Sequence, residues 1–125
     1  MARLGELERA VMDVLWDRSG TTAAESGTTV REVAEALHDR DPAYTTVLTV
    51  LDRLAGKGMV HRERTGRAWS YRPAASREAY IAQLMLDALD QAGSRDAALV
   101  RFVRSVTGDE ARVLRRALDE QARED

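Results

Sequence analysis

Cysteine is absent from the 125-residue chain. That excludes disulfides, thiolate metal sites and a cysteine nucleophile. Histidine is scarce: His38 falls at a helix end and His61 in a strand-like run. Neither belongs to a serine or cysteine constellation, and no glycine-rich phosphate loop is present. The expectation is therefore no catalytic residue, no metal, no cofactor and no enzyme. Long hydrophobic runs are missing too, although 44% of the residues are apolar, so the chain reads as soluble, without membrane insertion. The first residues lack a basic region followed by an apolar core, so no signal peptide is expected and the location reads as cytoplasmic. Lysine is nearly absent, with Lys57 alone among many arginines. With high Ala and Asp, this points to a GC-rich bacterial coding sequence.

What is present is organised around residues 44–72, YTTVLTVLDRLAGKGMVHRERTGRAWSYR. Val47, Val50, Leu51 and Leu54 have the three-and-four spacing of one buried helical face. Thr45, Thr49, Asp52 and Gly56 then point the opposite way, with Thr46, Leu48 and Arg53 on the flanks. Threonine hydroxyls bond base edges or phosphates, and their methyls pack on thymine methyls. Asp41-Pro42 suits an N-cap followed by proline at the first helical position, and Gly58 suits a helix stop after Lys57. Met59–Arg64 and Ala68–Arg72 follow as short strands, with Trp69 and Tyr71 alternating onto one face and Gly66 at the turn. From Arg53 to Arg72 there are six basic residues (Arg53, Lys57, Arg62, Arg64, Arg67, Arg72) and one acid (Glu63), a local +5 in a chain of net −2. Phosphate is the usual partner of such a patch; the plain alternative is a solvated charged hairpin. A helix-turn-helix with a basic hairpin wing, a DNA reader, accounts for both features. A winged helix used only for protein contacts would need neither.

Upstream, a first helix spans about Gly5 to Asp17, with Leu4, Leu7, Val11, Val14 and Leu15 as its inner stripe and Trp16 packed at its end. Residues 19–28, SGTTAAESGT, read as a long mobile loop. Thr29-Val30-Arg31-Glu32 is a capping box that opens a second helix, with Val30, Val33, Ala34 and Leu37 inward. A polar turn, His38 to Pro42, leads to the threonine-rich helix. Arg31 either reaches a phosphate or is simply solvated.

Pro73 closes the hairpin and divides the chain into residues 1–73, a DNA-binding domain of net charge 0, and residues 74–125, a helical domain of net charge −2. The second part reads as three helices. The first, Ser76–Ala92, carries Ile81, Leu84, Met85, Ala88 and Leu89. The second, capped by Ser94, carries Leu99, Phe102, Val103 and Val106. The third, opened by the Thr107–Glu110 capping box, carries Ala111, Leu114 and Leu118. Fifty residues are marginal for a self-sufficient core, so these stripes are expected to pair with a second copy; the Met/Phe stripe could instead line a ligand pocket. The fold class is thus mostly α: an N-terminal winged helix-turn-helix of three helices plus a β-hairpin, followed by three dimerisation helices.

The motifs Tyr44-Thr45-Thr46-Val47, Thr49, Asp52-Arg53-Leu54, Lys57-Gly58, Gly66-Arg67 and Tyr71-Arg72-Pro73 resemble the BlaI/MecI/CopY family of bacterial repressors, as does the Leu7-Glu8, Val11-Met12, Leu15-Trp16 pattern. The resemblance covers nearly the whole chain. It implies a homodimeric transcriptional repressor on a palindromic operator in double-stranded DNA, of β-lactam-resistance or related genes, with base contacts from Thr45, Thr46, Thr49 and Arg53. Lys57, Arg64 and Arg67 would hold phosphates or the adjacent minor groove. Leu48 departs from members with a basic residue there. The copper-responsive branch carries cysteine pairs near the C-terminus, whereas this chain ends RRALDEQARED. In β-lactam-responsive members a membrane sensor protease triggers cleavage in the dimerisation region. The matching bond is Arg101-Phe102, where staphylococcal-type members have Asn before the Phe. Release by a small ligand or a protein partner is the alternative.

Overall fold

In the computed structural model, residues 4–19 and 27–124 are described, with Thr65 described by its backbone alone. Helix α1 (Glu6–Arg18) opens on Gly5, whose N–H donates to the Glu8 carboxylate at 2.9 Å. It buries Val11, Met12, Leu15 and Trp16. The inner stripe is therefore centred further round the helix than the leucine spacing implied: Leu4, Leu7 and Val14 only flank the core.

Most of the expected 19–28 loop lies outside the described residues. At its end, Thr28 belongs to a strand, β1 (Thr28–Thr29). Gly27 is required there. Its φ is +78°, and a Cβ would stand 2.8 Å from the Ser70 side chain. A two-residue strand has no periodicity to read; the pairing partner creates it.

Helix α2 (Val30–Ala36) has the capping box read from the sequence. Glu32 N–H donates to Thr29 Oγ1 at 3.2 Å, and Thr29 N–H donates to Glu32 Oε1 at 3.0 Å. Arg18 bonds the same Glu32 at 2.8 Å and ties α2 to α1. The two carboxylates in these caps, Glu8 and Glu32, are both held below the ordinary range. For Glu8 the first cause is the Lys57 ammonium, and for Glu32 the Thr29 backbone N–H.

Helix α3 (Tyr44–Gly56) begins later than Asp41-Pro42 suggested. Ala43 is the N-cap, without a side-chain cap bond. Asp41 instead takes a left-handed φ of 44° and its N–H returns to Leu37 O at 3.2 Å. It thus closes the turn after α2, and the residue before a proline avoids the right-handed helical region. The far end is as expected: Gly58, at φ +76°, lets Met59 N–H reach Leu54 O at 2.9 Å and Gly58 N–H reach Ala55 O at 3.1 Å.

Strands β2 (Val60–Thr65) and β3 (Ala68–Pro73) form the hairpin, and β1 adds to the free edge of β3, giving an antiparallel sheet of order β1-β3-β2. Of the two turn residues, only Gly66 has positive φ, +65°, as a type II′ turn requires of its first central position. The core of this unit joins α1, α2, α3 and the sheet through Met12, Leu15, Val33, Val47, Leu51, Leu54 and Tyr71.

Helix α4 (Arg77–Asp90) moves the structural boundary past Pro73. Tyr80 is buried with its ring centroid 5.4 Å from that of Trp16, whose indole N–H donates to Ala75 O at 3.0 Å. The first compact unit accordingly continues to Leu84, and the second runs from Met85 to Asp125. That second unit holds the end of α4, α5 (Arg95–Ser105) and α6 (Gly108–Glu124). Ser94 Oγ caps α5 by accepting from Ala97 N–H at 3.1 Å. Thr107 and Glu110 form the reciprocal box of α6 at 2.8 and 3.1 Å. Neither α5 nor α6 buries a single residue. Among the described residues, no helix is long and apolar enough to cross a membrane.

Candidate nucleic-acid interface

The buried stripe of α3, Val47, Val50, Leu51 and Leu54, holds the helix against the core. Its geometry therefore turns Thr45, Thr46, Thr49, Asp52 and Arg53 outward, and all five are exposed. The Thr49 hydroxyl donates to Thr45 O at 2.9 Å, which spends its proton and leaves its oxygen as an acceptor. Leu48 is half-buried and leans on the core.

The wing stands beside this helix. The Arg62 guanidinium, on β2, pairs with Asp52 of α3 at 3.4 Å. Beyond it, Arg64 and Arg67 flank the exposed tip at Gly66, around which no other atom lies within 4 Å of a built Cβ.

The +5 patch is less uniform than its count. Arg62 is shared with Asp52, Arg72 pairs with Glu63 at 3.3 Å, and Lys57 bonds Glu8 at 2.7 Å. The first two pairs are exposed and weak, so phosphate can compete for their cations. Lys57 differs, since its carboxylate partner is only 13% exposed. It anchors the end of α3 to α1 instead of extending from the surface. Arg53, Arg64 and Arg67 form no ion pair among the described residues, nor does Arg31, exposed in the first turn of α2.

Of the residues expected at a dimer contact, Ile81, Met85, Leu99, Phe102, Val103 and Leu118 are exposed. Leu89 and Leu114 are half-buried. Leu84 packs in part against the N-terminal core, so it is not free to serve wholly as a dimer contact. Arg101-Phe102, the expected cleavage bond, lies exposed in the middle of α5.

The family model described as penicillinase repressor matches residues 4–120. The chain belongs to the penicillinase repressor family. Two curated relatives, each named transcriptional regulator BlaI, come from Mycobacterium tuberculosis strains CDC 1551 / Oshkosh and ATCC 25618 / H37Rv. Each is 55% identical over 124 residues, spanning 96% of this chain and 86% of the relative. A solved MarR family protein from Bacillus stearothermophilus covers 98% of this chain and 76% of its own, with TM-score 0.50 and 19% identity, a likeness of fold alone. This penicillinase repressor family member is thus a BlaI-type transcriptional repressor with a winged-helix DNA-binding fold, not an enzyme.

Two aromatic side chains of this family member were not singled out by sequence reasoning as interface residues. Tyr44, at the start of α3, is 56% exposed, and Trp69 on the wing is 36% exposed. Both stand within the helix-plus-wing stretch. The readable signal was an aromatic ring outside the apolar periodicity. The Tyr71 hydroxyl, in contrast, is enclosed without a hydrogen-bond partner of good geometry among the described residues. Burial, and then the Asp52 charge, push its pKa up.

Proposed function

We propose that this chain represses transcription in the cytoplasm as a homodimer on a palindromic operator. The outer face of α3, Thr45, Thr46, Thr49 and Arg53, enters the major groove, and Arg64 and Arg67 on the wing take phosphates or the neighbouring minor groove. The observation that carries this reading is the coincidence of outward threonines with three arginines, Arg53, Arg64 and Arg67, that lack ion pairs among the described residues. Arg31 is a further phosphate contact from α2. Lys57 acts indirectly, by fixing the C-terminal end of α3 to α1.

Dimerisation is the role of α5 and α6 with the end of α4. These segments expose Met85, Leu86, Val100, Phe102, Val103 and Leu118, and α5 and α6 bury nothing within one chain. An apolar surface of this kind is stable in water only when covered, and a two-fold contact also supplies two half-site readers. Release follows from cleavage at Arg101-Phe102 after a membrane sensor is activated. Because that bond is mid-helix and on the face assigned to the second copy, cleavage requires α5 to open locally and the dimer contact to part there.

The test is binding of the purified protein to its own upstream promoter by fluorescence anisotropy across a salt series. Saturation at two chains per site, well above scrambled DNA, is expected, with a log–log salt slope of about −0.9 per phosphate contact. Equal, weak binding to both DNAs would move the winged helix to a non-specific or protein-binding role.

A further inference from the structure

Trp69 is a third exposed on a hairpin that projects towards solvent, an uncommon place for an indole unless it serves a partner or a neighbour. Its neighbours are two cations. The Arg62 guanidinium carbon lies 4.7 Å from the ring centroid and that of Arg64 lies 5.7 Å away. The strand register explains this. Arg64 is the direct cross-strand partner of Trp69, and Arg62, two residues back on the same face, is its diagonal neighbour.

Each of the two arginines has one further anchor. Arg62 reaches Asp52 on α3 at 3.4 Å, and Arg64 Nε donates to Gly66 O at 3.3 Å. A continuous line therefore runs from the reading face of α3 through Arg62, the indole and Arg64 to the tip of the wing. An unsupported arginine carries substantial rotamer entropy, which binding would have to remove. Stacking on an aromatic face removes part of it before DNA arrives. Arg64 keeps both terminal nitrogens without a protein acceptor among the described residues.

We propose that Trp69 is a positioning residue. It is the platform that holds Arg62 and Arg64 in one geometry and so aims the wing at the DNA backbone. This rests on the DNA-binding reading above and adds the device that couples wing to helix.

The test has a DNA-free arm and a DNA arm, and uses the full chain with W69F, W69L, W69A, R64A and the double variant W69A/R64A. In the free protein, the Arg62 and Arg64 Nε–H resonances should be ring-current shifted, retain the shift in W69F and lose it in W69L. Unshifted wild-type resonances would overturn the platform. On promoter duplex, W69A and W69L should weaken binding roughly three- to tenfold, with W69F close to wild type. In the R64A background, W69A should add less than in the wild type, because the residue it positions is gone. Additive losses, or W69L binding as wild type does, would show that the indole only packs the hairpin. Unchanged melting of W69F and W69L keeps folding out of the comparison. A wild-type chain that does not prefer promoter over scrambled DNA, while its arginine resonances remain shifted, would break the DNA-binding reading and with it the aim of the platform, but not the stacking.

Discussion

The two units of this repressor solve the problem of burial in opposite ways. Up to Leu84, fourteen apolar side chains form one core, with Val11, Met12, Val33, Val47, Leu51 and Leu54 all sealed from solvent. From Met85 onward no described residue is buried, and Leu118 is 67% exposed. Yet the second unit is as well capped as the first: Ser94, Thr107 and Glu110 close the helix starts that Thr29 and Glu32 close in α2. Local helix signals are thus equally strong in both. Only the first seals a core of its own, and in the second Leu89 and Leu114 are no more than half-buried; tertiary packing supplies most helical stability in proteins.

The contrast can be broken most forcefully at the exposed stripe. Phe102→Asp places one carboxylate per chain in the proposed two-fold contact, at a cost on the order of 5 kcal/mol for the pair. Light scattering should then read a monomer mass where the wild type reads a dimer. An unchanged dimer would move the interface elsewhere, and helicity lost along with the dimer would show that α5 and α6 depend on it.

Within the first unit, Leu51→Ala should lower unfolding free energy by about 2–5 kcal/mol in urea, whereas Leu118→Ala should have little effect on the unfolding of that unit. Similar losses in its unfolding at both positions would erase the distinction. On the reading face, Arg53→Ala should weaken operator binding by about 1–3 kcal/mol if it contacts a base. The same loss on scrambled DNA would make it a phosphate contact only.

The smallest effect concerns the Glu8–Lys57 latch. Glu8→Gln removes a cap acceptor of full charge and the ammonium's partner, at about 1 kcal/mol near neutral pH. The folded-state pKa of Glu8 lies below its ordinary value. Its contribution is therefore present above the ordinary carboxylate range and lost as pH falls through the lowered value. Wild type and Glu8→Gln should converge in stability over that acid window; a gap that persists below it would assign the difference to packing.

Much of this is legible in the amino-acid sequence. The α3 stripe came directly from the spacing of Val47, Val50, Leu51 and Leu54. The caps at Thr29, Ser94 and Thr107 and the turn glycines Gly58 and Gly66 were legible because each acts within four residues of itself. The start of α3 lies beyond Asp41-Pro42 because the Asp41 N–H turns back to Leu37 O and His38 O, and Ala43 takes the N-cap. Helical period, caps, hairpin turn and the basic stretch are local properties, each written in a few neighbouring residues. Contacts across long separations needed the fold: β1 against β3, Tyr80 on Trp16, Lys57 on Glu8, and Arg62 between Asp52 and Trp69. The hairpin register sets the nearest of these, Arg62 with Trp69; the partners in the others lie 10 to 64 residues apart, and only the packed core brings them together. Charge counting could find six cations; which of them remain available to phosphate was decided by which carboxylates the tertiary structure placed beside them.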